Sequence, residues 1–374
     1  QELDQVLKAD IAAYDGLLEH TGSLLEFQTT AADRYATVGA PNNQDPALCE
    51  HWKLDCLARV RANPEATRQR LLDFAVRLRL SRRMGDYDHI HFAFTPRFDS
   101  PIPPYGGITN LQLADAALQF VDGQRNEAFA TLCRDTAAWR RLRAQSDILI
   151  NDMIGVAQMS AAAHLYASML AEQPADFAPP CAETFAPLTD AELDQCAAMR
   201  FEFLSSENSF EESIEMIAPD GNAFARTLYR TVNEPHLLRT MARAIGKYCQ
   251  APHRARILAR DPAPLAGDYL CTTTGWLFDP AGCLLFEKAI PSYDMYYHRV
   301  LDLDARLKLL SAVLWLRAQP AANEATFKTR PAALDSSRHA FTWASTGPAL
   351  RMTNFEKGRG EYWELPLAAA GAQP

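Results

Sequence analysis

The run Gly85–Phe94, GDYDHIHFAF, sets Asp86, Asp88, His89 and His91 close together and raises the question of metal or acid–base chemistry. On an extended strand alternate residues share a face, so His89 and His91 project together while Asp86 and Asp88 face the other way. Two neutral imidazoles make half of a zinc site and need a third ligand from elsewhere in the chain. The competing reading is an ordered loop whose histidines bond nearby backbone while Tyr87, Phe92 and Phe94 pack. The turn-forming TPRFDSPIPPYGG that follows favours that structural reading.

Two further clusters carry chemistry-bearing side chains. FEFLSSENSFEESIEMIAPDG brings Glu202, Glu207, Glu211, Glu212 and Glu215 into one segment. Paired carboxylates serve acid–base catalysis or bind a divalent cation. On a helix, however, Glu211 and Glu215 lie one turn apart on a solvated face, and the economical functional expectation is an acidic ridge meeting a basic partner. SYDMYYHRV combines Tyr293, Tyr296, Tyr297, His298 and Arg299 at a helix entrance. Aromatics beside arginine are enriched at protein-binding hot spots, so Tyr293, Tyr296, Tyr297 and Arg299 are candidate contact residues. Arg68, Arg70, Arg77, Arg79, Arg82 and Arg83 surround one amphipathic helix. They are expected to be paired with acidic neighbours, or to meet anionic lipid headgroups if the protein is tethered to a membrane.

Familiar catalytic signatures are missing. The chain has no G-x-S-x-G elbow, no G-x-x-x-x-G-K-[ST] loop, no G-x-G-x-x-G and no H-E-x-x-H. No cofactor is expected. A formal charge of −9 argues against a sequence-independent grip on nucleic acid, which needs a concentrated basic surface. The excess of arginine over lysine and the abundance of alanine read as a compositional bias of a bacterial genome.

The elements that must position these residues are mostly helical. Asn63 as N-cap and Pro64 at the first position open a helix in which Leu71, Ala75 and Leu78 recur at helical spacing. NLQLADAALQFVDGQRNEAFATLCRD reads as a helical hairpin around Asp122-Gly123, and the following AWRRLRAQSDILINDMIGVAQM as one long helix ended by Pro174. PADFAPPCAETFAPL forms an inter-lobe loop whose phenylalanines want burial. Thr189 and Glu192 then make a capping box. Leu238, Met241, Ala242, Ile245 and Cys249 form one apolar stripe, and Val300, Leu303, Leu307, Leu310 and Leu314 another. No tetratricopeptide repeat of about 34 residues recurs in register. Strands are expected late, as a hairpin turning at Asp279-Pro280-Ala281-Gly282 and as two or three short strands within residues 338–366.

Eight cysteines, Cys49, Cys56, Cys133, Cys181, Cys196, Cys249, Cys271 and Cys283, permit complete pairing, and no C-x-x-C occurs. If Asp45-Pro46 opens a helix, Cys49 and Cys56 sit roughly 10 Å apart along its axis. That exceeds the ~7 Å a disulfide spans, so they are not expected to pair. Cys181 with Cys196 and Cys271 with Cys283 are the local candidates. The second of these needs an irregular loop, because the hairpin would set Cys283 opposite Phe278. Free buried thiols are the alternative for all eight.

The expected architecture is mainly α, with antiparallel helix pairs in two lobes, residues 1–174 and 188–374, and small β-hairpins near the C-terminus. The start at Gln1 points to a lost upstream segment: a cleaved signal peptide, a trimmed inner-membrane anchor or an artificial boundary. The functional expectation is a non-catalytic periplasmic or other extracytoplasmic protein that binds another protein, as an inhibitor, an immunity factor or an accessory subunit. The alternative is a metal-dependent hydrolase using His89 and His91.

Overall fold

Helices dominate, as the periodicity predicts. The computed structural model describes residues 2–21, 27–35, 38–42, 44–101, 105, 107–209, 232–262, 271–289, 291–345, 347–356 and 361–367. α1 (Glu2–Thr21) is followed by α2 (Cys56–Ala62), α3 (Pro64–Asp73) and α4 (Ala75–Arg82). The Asn63 side chain accepts the Ala66 N–H at 3.4 Å, and Pro64 holds the first helical position, where no N–H is needed. α5 (Ile108–Val121) and α6 (Arg125–Ala144) form the expected hairpin around Asp122-Gly123.

The long helix expected after Ala138 is two helices. α6 stops at Ala144, and α7 (Leu149–Ala171) packs back along it. The break is QSDI: Ser146 Oγ accepts the Ile148 N–H at 3.2 Å, and the Asp147 carboxylate accepts the Phe92 N–H at 3.3 Å. Short polar side chains offer the backbone a rival to the helical ladder, and here they win. Arg143 Nε meets Asp152 Oδ1 at 2.7 Å across the corner, with both side chains buried.

Beyond the proline-rich loop run α8 (Cys196–Asn208), α9 (Glu234–Gly246), α10 (Ala251–Leu258), α11 (Thr273–Phe278), α12 (Pro280–Ala289), α13 (Pro291–Arg317) and α14 (Glu324–Lys328). The capping box at Thr189 and Glu192 forms as drawn, with Glu192 Oε2 accepting the Thr189 N–H at 2.7 Å. It opens only a short 3-10 turn, and α8 starts at Cys196. On α9 the buried residues are Leu237, Ala244 and Ile245, and Ala242 of the expected stripe is exposed. The hairpin expected around residues 279–282 is not a hairpin. Asp279-Pro280 is an N-cap followed by a first-position proline, so the same dipeptide starts α12.

Three short strands close the chain: β1 (Phe341–Trp343), β2 (Ala349–Thr353) and β3 (Tyr362–Pro366), an antiparallel meander in that order. Phe341 pairs with Met352, and Met352 with Trp363. These three, with Leu350 and Leu365, are buried where the sheet packs on α7 and α13. Val300, Leu303, Leu307 and Leu310 of the expected stripe on α13 are fully buried, and Leu314 is half-buried against the same core. They share one hydrophobic cluster with Met159, Leu165 and Tyr166 of α7.

The loop between α7 and α8 is fastened to both sides. Phe185 is buried, and Phe177 packs 5.5 Å from the Phe129 ring. Arg140 donates to the carbonyls of Thr184, Ala186 and Pro187 and pairs with Glu192. Charged groups on α13 extend this fastening. Asp302 accepts the Phe355 and Glu356 N–H groups at 2.8 and 3.0 Å and bonds His339 Nε2 at 2.9 Å. Asp304 accepts from the Leu188 N–H and from Arg260 Nε, both at 2.9 Å.

All eight cysteines are paired, as Cys49–Cys56, Cys133–Cys181, Cys196–Cys249 and Cys271–Cys283. Only the last matches an expected pair. Cys49 and Cys56 lie 4.9 Å apart between Cα atoms because no helix starts at Asp45. Residues 45–53 turn instead, with Leu48 N–H on Asp45 O and Lys53 N–H on Glu50 O, and Cys56 begins α2. Cys181 joins α6 at Cys133, and Cys196 joins the turn after α9. Four disulfides in one chain suit an oxidising, extracytoplasmic compartment. Among the described residues no helix is long and apolar enough to cross a membrane.

Two outcomes follow. Protein made in an oxidising compartment and denatured without reductant should show no free thiol, and eight after reduction; free thiols before reduction would contradict the pairing. The hydrogen bonds to Asp302 hold its carboxyl below its ordinary pKa against the opposing effect of burial. Its contribution is therefore full above the unfolded-state value and is lost as pH falls through the lower folded-state value. Asp302→Asn should lower stability at neutral pH by about 2–3 kcal/mol and show a smaller further loss on acidification than the parent in urea melts.

Candidate functional site

The histidine run braces a corner of the fold. His89 and His91 do share a side, their rings 6.1 Å apart and nearly parallel. His91 Nδ1 lies 2.7 Å from Asp147 Oδ2, on the carboxylate that also receives the Phe92 N–H. Ile90 bridges to Ser146, and Arg141 reaches the carbonyls of Gly85 and Tyr87. The segment thus ties itself to the break between α6 and α7. Among the described residues no group of three or more His, Cys, Asp or Glu side chains is placed to hold a metal ion.

The tyrosine cluster divides. Tyr293 and Tyr297 are buried, which places them in the core and not on a contact surface. Burial pushes both phenols well above their ordinary pKa, and the Tyr297 hydroxyl donates to Asp261 O at 3.0 Å. Two residues at helical spacing on an inward face explain this better than a hot spot does. Tyr296 is half-buried under the Arg299 guanidinium, 5.3 Å from its ring centre, while Arg299 pairs with Glu356 at 2.7 Å. Glu211 and Glu215 lie outside the described residues, as does Glu212. Glu202 is half-buried, and desolvation pushes its carboxyl up to about 7.

What the sequence patterns did not single out is α11. Thr272 caps it, its hydroxyl accepting the Gly275 N–H at 3.0 Å. Asp279 ends it and starts α12, accepting the Gly282 N–H at 2.9 Å and the Asn233 N–H at 3.1 Å. The same buried carboxylate meets His236 Nδ1 at 3.1 Å. Cys271–Cys283 closes the loop around the whole element. Packing is tight: a Cβ on Gly275 would sit 3.2 Å from His236 Cε1, and one on Gly282 only 2.2 Å from Asp279 Oδ2.

This scaffold holds large apolar side chains in water. Leu277 is 76% exposed and Phe278 79%, with Trp276 and Leu284 also exposed. Fully burying one such side chain is worth about 1.5–3 kcal/mol, so the tip is a ready source of association energy. A contiguous exposed apolar surface marks an interaction site more specifically than scattered single residues do. Because the cap, disulfide and His236–Asp279 pair fix the tip beforehand, little ordering entropy opposes its use. The apolar residues stand in TTTGWLFDPAG, where Asp279-Pro280 reads as the turn of a hairpin and not as a helix start.

Comparison with protein-family models, curated proteins and solved structures finds no match to this chain.

Gly282→Ala should displace the Asp279 carboxylate and cost about 1–2 kcal/mol of stability. Gly246→Ala, with helical backbone and open space around it, should be neutral or stabilising by up to about 1 kcal/mol. Equal melting temperatures for the two variants would contradict the assigned cap.

Proposed function

We propose that this is an extracytoplasmic protein that acts by binding another protein, with Trp276, Leu277 and Phe278 as its anchor. The observation that carries this reading is the apolar tip held out by a disulfide and a capped helix pair. Large apolar and aromatic anchors in fixed geometry are what binding hot spots are made of. The compartment reading rests on the four disulfides.

Within that class, an inhibitor, an immunity factor or an accessory subunit of a periplasmic complex fits best. Each acts by occupying a partner's pocket or joining its surface, and none requires a catalytic group of its own. His89 and His91 carry no second reading here, since among the described residues no group of three or more His, Cys, Asp or Glu side chains is placed to hold a metal ion.

A photo-reactive phenylalanine analogue at position 278 should give a discrete cross-linked adduct in the envelope of the native host. The same analogue at Trp52, an exposed aromatic on α2's flank, should give none. Leu277→Asp should abolish the adduct formed from position 278 while changing stability by no more than about 0.5 kcal/mol. An adduct that survives Leu277→Asp, or no adduct at all, would rule out the tip as anchor.

A further inference from the structure

α3 and α4 behave as one surface helix with an unusual outer face. Phe74 N–H bonds Arg70 O at 3.1 Å and Leu78 N–H bonds Phe74 O at 3.0 Å, so the ladder continues through their junction. Leu71, Leu78 and Ser81 face inward and are buried. The outward side of such a helix is ordinarily polar throughout. Here it carries Leu72, 65% exposed, and Val76 and Leu80, both 47% exposed. At about 100° per residue, Leu72, Val76, Arg79, Leu80 and Arg83 fall within one arc of about 100°.

The arginines around this helix are not equivalent. Arg68 pairs with Glu65 and Asp122, and Arg70 with Asp45 and Asp73. Arg82 pairs with Asp115, and Arg77 donates to the carbonyls of Val38 and Gly39. Those groups are engaged with the protein itself. On the exposed arc, Arg79 has no ion pair among the described residues, and Arg83 has only a loose contact of 3.9 Å to Asp86. Asp73, at the edge of the arc, is held by Arg70 and Gln69. The arc is therefore locally basic on a chain whose formal charge is −9. Exposed Tyr87, just past its end, adds an amphipathic ring of the kind that favours a membrane–water boundary.

We propose that the outward face of α3 and α4 docks the protein peripherally on an anionic phospholipid surface. Leu72, Val76 and Leu80 enter the boundary between headgroups and acyl chains, and Arg79 and Arg83 meet lipid phosphates. An apolar stripe interleaved with Arg79, unpaired among the described residues, and the loosely paired Arg83, on a helix lying along the surface, is the pattern of an interfacial helix. The charge complementarity selects anionic lipid over a neutral bilayer, and a helix face lying along the surface suits a plane better than a pocket.

The test is co-sedimentation of the full chain with phosphatidylcholine vesicles, with and without phosphatidylglycerol. Binding is expected only with phosphatidylglycerol and should weaken as salt is raised. Arg79→Glu combined with Arg83→Glu should reduce the partition at least about tenfold. Val76→Gln combined with Leu80→Gln should also reduce it, with melting curves unchanged because both side chains are exposed. Leu277→Asp should bind vesicles like the parent, which keeps this surface distinct from the tip on α11. No dependence on phosphatidylglycerol, or parental binding by both double variants, overturns the proposal. So does concentration-dependent dimerisation that Val76→Gln/Leu80→Gln abolishes without any lipid binding, since a second copy then covers the face.

Discussion

Charge placed inside α13 constrains the rest of the structure. Asp302, Asp304 and Arg306 sit on a helix whose Val300, Leu303 and Leu307 are in the core, and all three charged residues are buried. A buried ion without partners is costly enough to undo a fold, so neighbouring elements must deliver donors and acceptors to fixed points. They come from far along the chain. Asp302 is met by the backbone after β2 and by His339, and Asp304 by the loop at Leu188 and by Arg260. Arg306 donates to Ser160 on α7 and to Asn354. One helix thereby fixes the position of the sheet, the proline-rich loop and α7 together. Such a network specifies one arrangement more than it adds stability, because its gain is measured against full desolvation.

The disulfides complement that arrangement. Cys133–Cys181 fastens the proline-rich loop to α6, and the Leu188–Asp304 bond fastens the loop's end to α13. Cys196–Cys249 fixes the entry of α8 against the end of α9. Cys271–Cys283 encloses α11, where the described contacts to the core are few and the apolar side chains point outward. Cross-links that restrict the unfolded chain matter most where packing alone leaves a segment weakly held.

Local signals were legible where one physical effect dominates. Asn63-Pro64, Asp122-Gly123 and most of the α13 stripe are legible because capping, a turn and an inward face each act within a few residues. Reading failed where a remote partner decides. QSDI breaks the helix because Asp147 has Phe92 and His91 to bond, and nothing local reveals that. Asp279-Pro280 is equally good as a turn or an N-cap, and the contacts from Asn233 and His236 settle it. The spacing argument separates Cys49 from Cys56 only on a helix that the chain does not form. QSDI and Asp279-Pro280 share a cause: an aspartate whose partners lie tens of residues away.

The same reasoning explains why the candidate site was the least legible part. Sequence reading looks for chemistry in His, Glu, Tyr and Arg, yet here those side chains mostly satisfy one another. His91 has Asp147, Arg299 has Glu356, Arg140 has Glu192, and Tyr293 and Tyr297 are core. Among the described residues, two of the exposed apolar surfaces are the tip of α11 and the outer stripe of α3 and α4. Their surroundings differ in a way that separates their partners. α11 reads TTGWLF and has no charge of its own, so the protein partner proposed for it would be recognised by shape and apolar contact. The outer stripe is interleaved with Arg79 and Arg83, so recognition there includes negative charge spread over a surface. A single large partner covering both is a poorer fit than two surfaces of different chemistry, because the uncharged tip would gain nothing from the anionic plane proposed for the arginines.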